Sequence, residues 1–78
     1  MKPFNLQEFL ANPSRKVMTR YGHKVRILCT DANMKYPIVA LIAKEDGTES
    51  VRLYNIDGYY ADRIPEFLIS VYDLMFVD

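Results

Sequence analysis

The sequence contains one cysteine, one histidine, three glycines and no tryptophan in 78 residues. A lone Cys29 cannot close an internal disulfide, which excludes the stapled scaffolds of small secreted domains. One cysteine and one histidine cannot supply a structural zinc set, so no metal is expected. The three glycines sit in turn-like contexts, and neither a P-loop nor a G-x-G-x-x-G fingerprint is present, so no phosphate-bearing cofactor is expected. The alternating acidic run of a calcium loop is missing as well. No apolar run approaches the ~18–20 residues that span a bilayer. The polar opening MKPFNLQEF does not read as a signal peptide. The expectation is a cytoplasmic protein without membrane contact.

Half of the residues are hydrophobic and 26% are charged. That apolar share is too high for a disordered tail. The length allows a single domain over residues 1–78, with little room for a deep pocket of ~300–1,000 Å³. That is one reason not to expect an enzyme. The only nucleophile pair on offer is Cys29 with His23. Alternation along 24–30 puts Cys29 on one face with Val25 and Ile27, the setting of a buried, inert thiol. Glu45 and Asp46 stand beside Gly47 and read as turn formers, not as acid/base catalysts.

Helical signals are confined to the N-terminus. Asn5 and Glu8 have the spacing of a capping box, and Phe4 and Phe9 that of a hydrophobic staple. Leu6, Phe9 and Leu10 share one helical face, and Asn12-Pro13 ends the segment. A helix over about 5–11 follows, too short to be stable without docking. From Lys16 onward the pattern is that of strands. Segments 16–20 and 24–30 flank Tyr21-Gly22 as a hairpin; Tyr is a poor first residue for a two-residue turn, which suggests a longer loop. Pro37 opens a continuously apolar run over 37–43, read as the central strand with both faces covered. Segment 49–55 alternates, with Val51 and Leu53 opposite Ser50, Arg52 and Tyr54. Asp57-Gly58 marks another turn, and Tyr59-Tyr60 can begin a short strand. Pro65 interrupts 61–69. Residues 66–76 fit a short helix by spacing, whereas Val71, Tyr72 and Phe76 favour a closing strand over 70–77; strand is the preferred reading. The fold expected is mainly β: an antiparallel meander of five or six short strands, strongly twisted or closed in part into a small barrel, with one short N-terminal helix.

Ten Lys/Arg balance ten Asp/Glu, but unevenly along the chain. Residues 1–30 hold six cations and one anion, whereas 31–78 hold four cations and nine anions. The cations concentrate in 15–26, where Arg15, Lys16, Arg20, Lys24 and Arg26 surround Tyr21 and His23 without an acid among them. Basic side chains interleaved with an aromatic could grip phosphates and stack a base. The alternative is that these charges pair internally across strands or blunt an edge strand. The six tyrosines suit a contact surface. Self-association through an edge strand or the aromatic surface is a further expectation.

Lys2-Pro3-Phe4-Asn5-Leu6, Thr19-Arg20-Tyr21-Gly22-His23-Lys24-Val25-Arg26-Ile27-Leu28-Cys29-Thr30-Asp31, Tyr36-Pro37-Ile38-Val39-Ala40-Leu41-Ile42, Asp57-Gly58-Tyr59-Tyr60 and Tyr72-Asp73-Leu74 together resemble a group of small uncharacterised proteins of gut bacteria and their phages and prophages. The likeness covers most of the chain, least over 61–70, and Tyr21 replaces the group's usual Asp. It implies a mobile-element origin and no chemistry. Two readings follow. One is a non-enzymatic interaction module that binds itself or another protein, an accessory protein of a phage or mobile element. The other is a nucleic-acid-binding domain using the 15–26 hairpin.

Overall fold

The computed structural model describes residues 1–61 and 70–77. Six strands and one helix follow in the order β1 (Lys2–Pro3), α1 (Leu6–Ala11), β2 (Val17–Thr19), β3 (Val25–Cys29), β4 (Ile38–Ala43), β5 (Glu49–Tyr54) and β6 (Leu74–Phe76). They form two antiparallel sheets of three strands, ordered β1-β6-β2 and β3-β4-β5. The mainly β architecture with one short N-terminal helix is as the sequence pattern predicts. The arrangement departs from a single meander because β6 inserts between β1 and β2, and the two sheets are not closed into a barrel. Proline explains part of this. Pro3 has no N–H for a second neighbour, which suits β1 to an edge.

Helix α1 forms as its caps dictate. Asn5 Oδ1 accepts the Glu8 N–H at 3.0 Å, and the Phe4 and Phe9 rings meet at 5.8 Å. The Glu8 carboxylate turns instead to Lys2 Nζ at 3.1 Å and Arg15 Nη1 at 3.5 Å, so only half of the capping box is used. No helical residue is fully buried; the helix docks through the partly buried Leu6 and Phe9.

The core lies between the sheets. Phe4, Val17, Leu74 and Phe76 come from the first sheet and its flank, and Ile38, Ala40, Ile42 and Tyr54 from the second. Strand β4 is central in its sheet, as its apolar run suggests, but only one face is fully covered. Ile38, Ala40 and Ile42 are buried while Val39, Leu41 and Ala43 stay half-exposed. In β5 the polar-flanked side faces inward. Tyr54 is buried, and its hydroxyl donates to the Tyr72 carbonyl at 2.7 Å, whereas Val51 is 63% exposed.

A bulge in β3 changes the expected position of Cys29. Ile27 pairs with Ala40 and Cys29 with Val39, leaving Leu28 as the extra residue. Cys29 therefore shares the outward face with Val39, not the inward face with Val25 and Ile27. The sheets are tied together by the turn after β5. Gly58 (φ +80) is buried against Phe4, and its carbonyl accepts the Leu74 N–H at 2.9 Å. Only Tyr60 of the Tyr59-Tyr60 pair bridges to a strand, at Tyr54. The closing strand is present but short, covering Leu74–Phe76. Of the ambiguous stretch 61–69, residues 62–69, with Pro65, lie outside the described residues.

Candidate interaction site

The basic hairpin is organised by its loop. Thr19 N–H donates to the His23 carbonyl at 2.9 Å, and Gly22 N–H donates to the Thr19 carbonyl at 2.9 Å. His23 N–H adds a bond to Thr19 Oγ1 at 3.0 Å. This is a three-residue loop, Arg20-Tyr21-Gly22, with Gly22 at φ +98 supplying the left-handed position that such loops require. Tyr21 is thereby spared a positive φ, which agrees with the longer loop anticipated from its identity.

The loop and the strand alternation split the seven candidate residues into groups. Tyr21 and His23 stack at the hairpin tip, with ring centres 5.5 Å apart and planes 17° from parallel. His23 Nδ1 lies 3.0 Å from the Ala43 carbonyl, which requires a proton on Nδ1 to donate to it. These two side chains wall an open cleft of about 530 Å³ together with Lys44, Arg52, Val71 and Tyr72. Arg52 is held there by aromatics. Its guanidinium sits 4.0 Å from the Tyr72 ring centre and 5.2 Å from that of Tyr60, and Nη1 donates to Tyr60 Oη at 2.7 Å.

Arg20 turns away from both and faces Asp73, with Nη2 3.8 Å from Oδ2. Arg15, Lys16, Lys24 and Arg26 line a separate groove of about 490 Å³, where the end of β2 diverges from β3. Phe9, Pro13, Val17, Val25, Ile27 and Leu28 provide its apolar surface. Beyond the Met18–Lys24 bridge, no described strand pairs with the β3 edge that borders this groove.

Internal pairing occupies the three arginines of the stretch. Arg15 lies 4.0 Å over the Phe76 ring and pairs with Glu8. Arg26 makes a two-pronged contact with Glu49, Nε to Oε2 at 2.8 Å and Nη2 to Oε1 at 2.9 Å. That contact lowers the Glu49 carboxyl below its ordinary value and raises Arg26 above its own. Lys16 and Lys24 are exposed and make no ion pair among the described residues. They supply the uncompensated positive charge of the groove.

His23 and Cys29 stand six residues apart along extended chain, about 20 Å at the rise of a strand, too far for a nucleophile and its base. Among the described residues no group of three or more His, Cys, Asp or Glu side chains is placed to hold a metal ion, and no helix is long and apolar enough to cross a membrane.

Sequence reasoning missed two features. One is Arg52, covered by Tyr60 and Tyr72 from a distant part of the chain. The other is Asp73, a fully buried carboxylate whose only local mark was its place after a tyrosine. Comparisons with protein-family models, curated proteins and solved structures found no match.

Proposed function

We propose that the protein is a non-enzymatic interaction module that takes an extended, acidic segment of a protein partner into the groove between β2 and β3. The supporting observation is the placement of Lys16 and Lys24 beside a β3 edge that no described strand pairs with past the Met18–Lys24 bridge. An added strand gains main-chain hydrogen bonds from such an edge and specificity from alternate side chains. Carboxylates of the segment on one side reach the two lysines, and its apolar side chains on the other cover Ile27 and Phe9. The resemblance to small phage and gut-bacterial proteins extends the proposal to a cytoplasmic accessory protein of a mobile element.

The arrangement favours a peptide over a nucleic acid. Single-strand binding combines cations with stacking aromatics in one groove. Here the Tyr21–His23 stack borders the other cleft, and the arginines best suited to phosphate are engaged with Glu8, Glu49 and Asp73. Fluorescence anisotropy with a labelled peptide of alternating Glu and Val, set against a single-stranded oligonucleotide of equal charge, tests this. At low salt the peptide should bind, and the Lys16→Glu/Lys24→Glu double variant should weaken it by about tenfold or more, roughly the effect of 1.4 kcal/mol. Methylating alternate peptide nitrogens should weaken it too, because edge pairing needs those N–H groups. Binding of the oligonucleotide but not the peptide would transfer the function to nucleic acid. Binding of neither would remove the groove reading.

A further inference from the structure

The open cleft beside the hairpin tip is lined by donors that lack acceptors. Among the described residues three buried side-chain polar atoms have no hydrogen-bond partner: Arg20 Nε, Ser50 Oγ and Arg52 Nε. Two of the three belong to β5 residues that line this one cleft. Ser50 and Arg52 stand two positions apart, so they project from the same side of the strand, with Ile42 and Ala40 as their neighbours in β4. A buried donor without an acceptor is destabilising, and two of them at one cleft point to a group that supplies acceptors there.

Arg52 defines the chemistry of that group. Its Nη1 donates to Tyr60 Oη at 2.7 Å, one face of the guanidinium lies 4.0 Å from the Tyr72 ring centre, and it makes no ion pair among the described residues. What remains is the edge formed by Nε and Nη2. Arg26 grips Glu49 with that same edge, Nε to Oε2 at 2.8 Å and Nη2 to Oε1 at 2.9 Å. Two parallel N–H groups match the two oxygens of a carboxylate, and the Ser50 hydroxyl adds a donor on the same side. The rim sets Lys44 against Glu45 and Asp46, a negative balance that disfavours a dianion such as phosphate. The other walls are flat or apolar, formed by the Tyr21–His23 stack and by Ile42 and Val71. We propose that this cleft binds a small planar aromatic carboxylate. Its carboxylate sits on the Nε–Nη2 edge of Arg52 and on Ser50 Oγ, and its ring lies along the Tyr21–His23 stack.

The cleft, of about 530 Å³, has the size of a small-molecule site. Ser50 Oγ and Arg52 Nε are shielded from bulk water, so entry requires side-chain rotation in the cleft. Its lip allows this, with Tyr21 70% and Val71 50% exposed, and such rotations take picoseconds to nanoseconds. The site is independent of the β2–β3 groove, since it uses neither Lys16 nor Lys24 nor the β3 edge.

Titration of the isotope-labelled protein with naphthoate, followed by amide chemical shifts in NMR spectra, tests the proposal. The shifts should centre on Tyr21, His23, Ser50, Arg52 and Tyr72 and saturate with a dissociation constant of about 1 mM, the order expected for a ligand of this size. Naphthamide, the same ring without the charge, should bind about tenfold more weakly or worse. Arg52→Lys, which keeps the charge but loses the fork, should weaken naphthoate about tenfold. Ser50→Ala should weaken it about threefold while leaving the melting temperature unchanged or raised, because the hydroxyl has no partner to lose in the unliganded fold. Lys16→Glu/Lys24→Glu should bind it as wild type does. If Arg52→Lys fails to fold, Ser50→Ala and the naphthamide comparison decide the question. Absence of shifts at about 10 mM naphthoate overturns the proposal and leaves the two donors to water alone. Equal binding of naphthamide overturns it as well. So does inorganic phosphate binding as tightly at the same residues, which would reduce the cleft to a simple anion contact. Tighter binding of a peptide ending in Phe would transfer the cleft to a protein terminus and overturn the small-molecule assignment.

Discussion

Asp73 should be the most costly polar side chain to remove from this protein. It is 1% exposed, and both of its oxygens are used. Oδ1 accepts the Tyr60 N–H at 2.9 Å and Oδ2 the Ser70 N–H at 2.9 Å, while Arg20 approaches Oδ2 at 3.8 Å. The carboxylate thus joins the chain after β5 to the turn before β6. A hydrogen bond to a charged group contributes about 1.5–3 kcal/mol, and a buried donor left without an acceptor costs about 1–3 kcal/mol. Asp73→Ala orphans two backbone donors, so its cost should be about 3–5 kcal/mol. Total stability for this length is about 4–12 kcal/mol, so that variant stands at the edge of folding. Asp73→Asn keeps one acceptor and turns an amide N–H₂ toward the other donor, for about 2–3 kcal/mol. Arg20→Met should cost only about 1 kcal/mol. Its head group is partly exposed and distant, and Asp73 keeps both N–H partners, so no bare buried charge is left. Urea denaturation followed by circular dichroism measures all three, with an unchanged slope confirming that the unfolding transition itself is the same. An Asp73→Ala cost under about 1 kcal/mol, or an Arg20→Met cost equal to it, would refute the idea that the backbone donors, rather than the ion pair, fix this carboxylate.

Two other perturbations have outcomes set by the same geometry. Gly22 and Gly58 both have positive φ, but a Cβ at Gly22 meets nothing within 4 Å, whereas one at Gly58 would lie 2.9 Å from Phe4 Cβ; thermal melts should give Gly22→Ala a cost of about 1–2 kcal/mol and Gly58→Ala about 2–5 kcal/mol, backbone strain plus overpacking. Equal costs would show that Phe4 yields. Burial raises the Tyr54 hydroxyl above its ordinary pKa of 10.0, so the stability it supplies is complete below pH 10 and is lost as pH rises beyond that value. Tyr54→Phe should cost about 0.5–1.5 kcal/mol at neutral pH and close the gap to wild type above pH 10; a constant gap would contradict the burial argument.

Local structure was legible in the sequence because it depends on near neighbours. Asn5 with Glu8 and Phe4 with Phe9 predicted α1 and its cap, and the unsuitability of Tyr21 for a two-residue turn predicted the three-residue loop. What alternation alone could not decide was which side of a strand faces the core. In β5 both sides carry large apolar groups, Val51 and Leu53 on one and Tyr54 on the other. The choice is made at long range, where Arg52 stacks on the Tyr72 ring and donates to the Tyr60 hydroxyl, which holds it on the inward side, while the Tyr72 carbonyl accepts the Tyr54 hydroxyl. The β3 bulge was equally silent, since one unpaired residue in an unbroken apolar run leaves no mark on the pattern.

The opposed charges of the two parts of the chain follow the same logic. Arg20 reaches Asp73 and Arg26 reaches Glu49, so two of the basic residues of the first thirty are neutralised by acids from the remainder, and Arg15 is met by Glu8. Pairing across such separations needs the folded topology, which is why the linear order of charges shows an imbalance that folding cancels in part. The cancellation stops at Lys16 and Lys24, which flank the divergence of β2 and β3. There an acid would have to come from outside the described chain. A charge left uncompensated beside an unpaired strand edge also guards against indiscriminate edge pairing. Two lysines at that position therefore disfavour pairing with a basic strand, and under the proposed reading the same two charges favour an acidic one.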